Sequence, residues 1–175
     1  ITSIAALSAS ILFSMATCGY ANPTWNNSGA DWNTAADWNT TVQVPNSTLI
    51  AKFTTLNPVF QPNISANASA EALYFSAGGT VLTANPGLTL TLVDYNSGDG
   101  NGYYIINQLV GTTGTNTINA PLVLSANTGT IELFGNAGAG STLDLQGAIS
   151  STGTTDTVGF FANSSTAVVE VTGTN

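Results

Sequence analysis

The sequence predicts an all-β fold, either a β-solenoid or a β-sandwich, and three observations predict it. Past Pro45 the chain is a succession of short alternating segments punctuated by Gly, Asn, Pro and Ser, the pattern of strands and turns. Outside an apolar stretch near the start, no segment carries a helical period. Hydrophobic residues make up 43% of the chain and charged residues only 6%, the reverse of a disordered composition.

The first element is leader-like. Ile4 to Ala16 is an apolar run of signal-peptide length, followed by small residues and then a polar segment. Cleavage is expected near Gly19-Tyr20-Ala21, although neither an initiator Met nor a basic flank precedes the run. Met15-Ala16-Thr17-Cys18 departs from a lipoprotein box at Thr17. A spanning helix needs about twenty apolar residues, so this shorter run predicts export rather than a membrane anchor. The competing reading is a first buried strand or helix. Residues 1–21 are therefore set apart as a leader, and the expected location is secreted or on a bacterial cell surface.

Residues 22–53 form the second unit. Trp25, Trp32 and Trp38 recur within a polar frame of Asn, Asp, Ser and Thr. Three large flat side chains so close together need burial, and the open end of a β-stack supplies apolar surface with no next layer to cover it. A Trp-rich cap is the expectation. The rival is an aromatic platform on which sugar rings stack, using Trp25, Trp32 or Trp38 with Tyr103 and Tyr104 beside the Gly-rich loop.

Residues 54–175 carry the strands. Leu88-Thr89-Leu90-Thr91-Leu92, Leu122-Val123-Leu124, Ile131-Glu132-Leu133, Leu143-Asp144-Leu145 and Val169-Glu170-Val171 alternate, with one face toward a core and the other toward water. Glu132, Asp144 and Glu170 fall on the wet face. The pairs at Leu122, Leu143 and Val169 recur at intervals of about twenty-odd residues, as expected for solenoid turns that each contribute two or three short strands.

Several pieces in order carry a resemblance. Trp25, then Asp31-Trp32-Asn33-Thr34-Ala35-Ala36-Asp37-Trp38, Val44-Pro45-Asn46 and Ala51-Lys52-Phe53 are followed by Ala72-Leu73-Tyr74-Phe75-Ser76. Thr117 to Leu122 and Leu143 to Gly153 continue the series. This succession resembles the opening of autotransporter-associated β-strand-repeat proteins. The resemblance implies a right-handed parallel β-helix passenger. It departs from the family where a Lys-bearing repeat normally follows Gly147-Ala148-Ile149-Ser150-Ser151-Thr152-Gly153; here Val158 to Phe161 and Val168 to Val171 follow without it. The expectation is a front end truncated at its C-terminus.

The inventory of chemical groups narrows the function classes. The chain has one basic residue, Lys52, nine carboxylates, no histidine and a formal net charge of -8. Nucleic acid is not an expected partner, because phosphate neutralisation needs several Lys or Arg side chains. Without histidine there is no Ser-His-Asp triad and no Cys-His dyad. Asp31, Asp37, Asp94, Asp99, Asp144 and Asp156 show no close pairing on one strand of the kind glycoside hydrolysis uses. Cys18 is the single cysteine, so no internal disulfide forms. Asp94, Asn96 and Asp99 lie in a Gly-rich loop with oxygen ligands for calcium, although the spacing misses an EF-hand by one place; Asp, Asn and Gly are equally the residues of a long turn. The six Asn-x-Ser/Thr sequons, at Asn26, Asn39, Asn46, Asn63, Asn67 and Asn163, follow from composition in a chain rich in Asn and Thr.

A non-enzymatic exported stalk, structural or adhesive, is the first expectation. Its partners would be host or environmental surface glycans or proteins, and self-association through unpaired strand edges is a further one. A carbohydrate-binding module is the second reading. The third is an N-terminal extension of a β-helix enzyme acting on polysaccharides.

Overall fold

The computed structural model describes residues 21–39, 43–93, 104–125, 131–152 and 157–173. Residues 1–20 of the leader, Cys18 among them, lie outside these residues, as do Asp94, Asn96, Asp99 and Tyr103.

The strands coil into a parallel β-helix of three sheets. The first sheet stacks β1 (Ala51–Phe53), β4 (Leu73–Phe75), β7 (Tyr104–Gln108), β10 (Ile131–Asn136) and β13 (Thr157–Ala162) in that order. The second stacks β2 (Asn63–Ile64), β5 (Val81–Ala84), β8 (Gly114–Ile118), β11 (Ser141–Leu145) and β14 (Val168–Val171). The third stacks β3 (Ala68–Ala70), β6 (Leu90–Leu92), β9 (Leu122–Leu124) and β12 (Ile149–Ser151). Every pairing between these strands is parallel. A sandwich of antiparallel hairpins is thereby set aside.

Each coil visits the three sheets once, so equivalent positions stack about 4.8 Å apart along the axis. Two inward columns of the first sheet show what fills the interior. Ala51, Leu73, Ile106, Phe134 and Phe160 form one; Phe53, Phe75, Gln108, Asn136 and Ala162 form the other. Phe53 and Phe75 stack with centroids 4.9 Å apart and planes 15° off parallel. The third sheet buries Leu90 and Leu92 under Leu122 and Leu124. Phe160 is 49% exposed although its column points inward, because no further described coil covers it.

The recurrence read from the sequence needs one correction. Leu143 and Val169 are true register partners, but Leu122 pairs with Ile149 in a different sheet. Leu-x-Leu falls in the third sheet in one coil, at Leu122–Leu124, and in the second sheet in the next, at Leu143–Leu145, so a period read along the chain mixes faces.

The second column turns polar at its third coil, and the polar groups are satisfied. The Gln108 side chain donates through Nε2 to Ser141 Oγ at 2.7 Å and to Asn136 Oδ1 at 3.3 Å. Its Oε1 accepts from Asn116 Nδ2 at 2.9 Å. Asn116 Oδ1 in turn accepts from the Thr80 N–H, and Asn136 Nδ2 donates to the carbonyls of Ser141 and Val168. Gln108, Asn116, Asn136 and Ser141 are all buried. This network ties successive coils together at the corner between the first and second sheets, where the backbone turns and its own ladder is interrupted.

The Trp-rich segment forms an irregular turn across the first coil. Thr24 makes a parallel bridge to Lys52, Asp31 another to Asn63, and Trp25 pairs antiparallel with Trp38. A 3-10 turn at Ala35–Asp37 reverses the chain between them. The stack itself begins at Ala51, inside the span read as cap.

Candidate functional site

Both proposed aromatic platforms can be followed to their places. Trp25, Trp32 and Trp38 are 2%, 0% and 1% exposed. Trp38 lies edge-on to the other two at 5.0 Å, and all three lean on Phe53 at 5.9 to 6.5 Å. Trp25 Nε1 donates to the Phe60 carbonyl and Trp38 Nε1 to the Trp32 carbonyl, each at 2.9 Å. A sugar stacks only on an open ring face, and no indole here has one. The platform reading of Trp25, Trp32 and Trp38 is corrected on that ground. Their burial removes about 150–250 Å² of surface each, or about 4–6 kcal/mol of gross apolar transfer per ring.

Acidic groups beside the trio serve the local turn. The Asp37 carboxylate accepts from the Asp31 N–H at 2.9 Å and lies against Gly29, where a Cβ would collide with it. Asp31 accepts from Ser65 Oγ at 2.6 Å, Thr34 Oγ1 at 2.9 Å and the Asn33 N–H at 3.0 Å. Burial pushes the Asp31 carboxyl up, but these three donors together hold it below its ordinary value of 3.8.

Asp144 faces outward as the alternation requires, yet it is only 9% exposed. The Gln146 amide and the Thr172 hydroxyl, the latter at 3.2 Å, donate to its carboxylate. Glu170, its register partner on the next coil, is exposed. The Glu132 side chain lies outside the described residues.

Tyr104 has a different environment from the indoles. On the outer face of the first sheet, Lys52, Tyr74, Asn107, Gly135 and Phe161 stack in register through all five coils. Lys52 Nζ sits 5.7 Å from the centre of the Tyr74 ring. A register shift between Leu133 and Phe134 leaves Ile105 as an extra residue in β7. Ile105 and Ile106 both turn into the core, and the bulge re-aims Tyr104 along the outside. Its ring covers Gly135 so closely that a Cβ there would meet Tyr104 Cε1 at 2.5 Å. Tyr104, Asn107, Val110, Gly135, Phe161 and Asn163 are among the residues lining a groove of about 240 Å³. Phe161 is 48% exposed.

The structure thus separates the aromatic residues singled out in the sequence. Tyr104 reaches a groove; the three tryptophans do not. Phe161, Gly135, Asn107 and Asn163 were not singled out as candidates. The adjacent Phe160 and Phe161 were the available signal, because neighbouring residues of a strand face opposite ways and one ring must point out.

Comparison of the chain with models of protein families, with curated proteins and with solved structures finds no match in any of the three.

Proposed function

We propose that the chain is an exported, non-enzymatic surface protein, a structural or adhesive β-stalk of the autotransporter-associated β-strand-repeat kind. The supporting observation is the division of the coil into an apolar interior and an outer surface of hydroxyl and amide groups. Leu73, Leu90, Leu122 and Leu143 fill the inside, while Ser65, Asn67, Thr115, Asn119 and Ser150 lie exposed. Such a surface stays hydrated with few charges, and stacked parallel strands lengthen in one direction, which suits reach and contact rather than turnover.

The ordered resemblance from Trp25 to Gly153 adds the passenger assignment. The alternative module built on exposed tryptophans has lost its platform, because those rings are buried.

Antibody labelling of intact source cells, set against lysed cells, tests export. Equal labelling of both is the expected result; labelling confined to lysed cells overturns the proposal.

A further inference from the structure

We propose that the groove between Tyr104 and Phe161 binds a neutral pyranose, as a single sugar or as one unit of a glycan. This goes beyond the stalk reading and stands whether or not the chain is exported.

Shape comes first. Ligand pockets typically enclose about 300–1,000 Å³, and a groove of about 240 Å³ is the size for one six-membered ring with its substituents. Gly135 makes room for the Tyr104 ring: Asn107 and Phe161, its register partners above and below, both carry side chains, while the floor between them has none. The Tyr104 ring lies over that floor and Phe161 stands beside it. Two aromatic surfaces therefore border one concavity, which Leu109, Val110 and Ala137 also line.

Chemistry narrows the ligand. A pyranose offers an apolar face of C–H groups to aromatic rings and a rim of hydroxyls that both donate and accept. The Asn107 and Asn163 side-chain amides supply matching donors and acceptors, and among the described residues neither side chain makes a hydrogen bond. Among the described residues no carboxylate and no ammonium lines the groove, so a charged sugar or an organic cation finds no counter-ion among them. Apolar walls with a few convergent amides match a neutral, polyhydroxylated ligand.

The backbone keeps the walls in place. Phe161 belongs to β13, which is paired with β10 from Ile131 to Asn136, and Asn107 is held between Tyr74 and Gly135 in the same ladder. A groove built on strands is more rigid than one built on loops, which lowers the ordering cost of weak sugar binding.

Saturation-transfer NMR of the whole chain tests the proposal, with methyl glycosides of glucose, galactose, mannose and N-acetylglucosamine and their short oligomers as probes. Expected is transfer to the ring C–H protons of at least one probe. Tyr104→Ala and Phe161→Ala should each weaken that binding by about tenfold or more, the loss that follows from removing one stacked ring. Asn107→Asp keeps the volume and should weaken it by removing the amide N–H donors. Thr91→Ala, on another sheet, should leave it unchanged. Circular dichroism checks each fold, and Phe161→Ala, at a half-open position, retains the test if Tyr104→Ala unfolds. The proposal is overturned by the absence of transfer to every probe. It is equally overturned by binding that survives both ring deletions, or by tetramethylammonium displacing the sugars as a tighter ligand.

Discussion

The indole N–H of Trp38 donates to the backbone carbonyl of Trp32 at 2.9 Å, and the two rings meet edge to face at 5.0 Å. The pair is asymmetric: Trp32 Nε1 is buried with no hydrogen-bond partner among the described residues. One ring thus anchors the other, and their polar atoms have opposite energetic roles.

That asymmetry gives a prediction. Trp38→Phe strands the Trp32 carbonyl and should cost about 1–3 kcal/mol beyond the lost area. Trp32→Phe removes an unpaired buried donor, so part of its packing loss is offset. In urea melts the Trp38 variant should be the less stable of the two; the reverse order would show that ring volume alone decides.

Asn136 is the hub of the buried corner. Its Nδ2 bonds two carbonyls, and its Oδ1 accepts from the Gly138 N–H at 3.0 Å and Ser141 Oγ at 2.9 Å. Asn136→Leu removes this partner from the two carbonyls and the Gly138 N–H at once, and a loss of about 3 kcal/mol or more is expected. Thermal unfolding of the variant, read beside Ser65→Ala on the exposed face, checks it.

Asp31 sets part of the acid limb. Its folded carboxyl lies below the ordinary 3.8, so the folded state holds the proton less tightly than the unfolded state. Its contribution is therefore present above the unfolded value and is lost as pH falls through the folded one. Asp31→Asn should flatten the stability curve below about pH 4 and leave its shape near neutrality unchanged, as followed by denaturant midpoints across pH.

Gly78 marks how closely the coils approach. A Cβ there would overlap the Thr113 carbonyl on the next coil, a backbone atom that cannot swing aside. Gly78→Ala should destabilise by more than the roughly 1 kcal/mol that a glycine normally gains by acquiring a side chain. Gly87→Ala provides the comparison, since it has a positive φ of 80° but open space around it.

How much of this was legible varies from element to element. The alternation at Leu90-Thr91-Leu92 and Leu143-Asp144-Leu145 named the right inward residues, because period two is a local property of a strand. The burial of the Trp trio followed from its size and spacing. Which column each Leu joins did not follow. About twenty residues separate Ala51 from Leu73 but over thirty separate Leu73 from Ile106, and unequal coils blur a sequence period. Gln108, Asn116 and Asn136 look like turn residues in the sequence; their burial depends on where the corner of each coil falls. Tyr104 is legible beside its Gly-rich neighbourhood and Phe160-Phe161 shows that one ring must face out, but that Phe161 comes to border the same groove as Tyr104 depends on the register between coils.

The central claim is the parallel coil itself, and nuclear Overhauser contacts between backbone protons test it most directly. The structure predicts parallel-register contacts that step from Leu90 to Leu122 and from Leu122 to Ile149, always one coil onward. Strong contacts between the α-protons of strands consecutive in sequence, such as β8 and β9, are the mark of antiparallel hairpins and would contradict the β-helix.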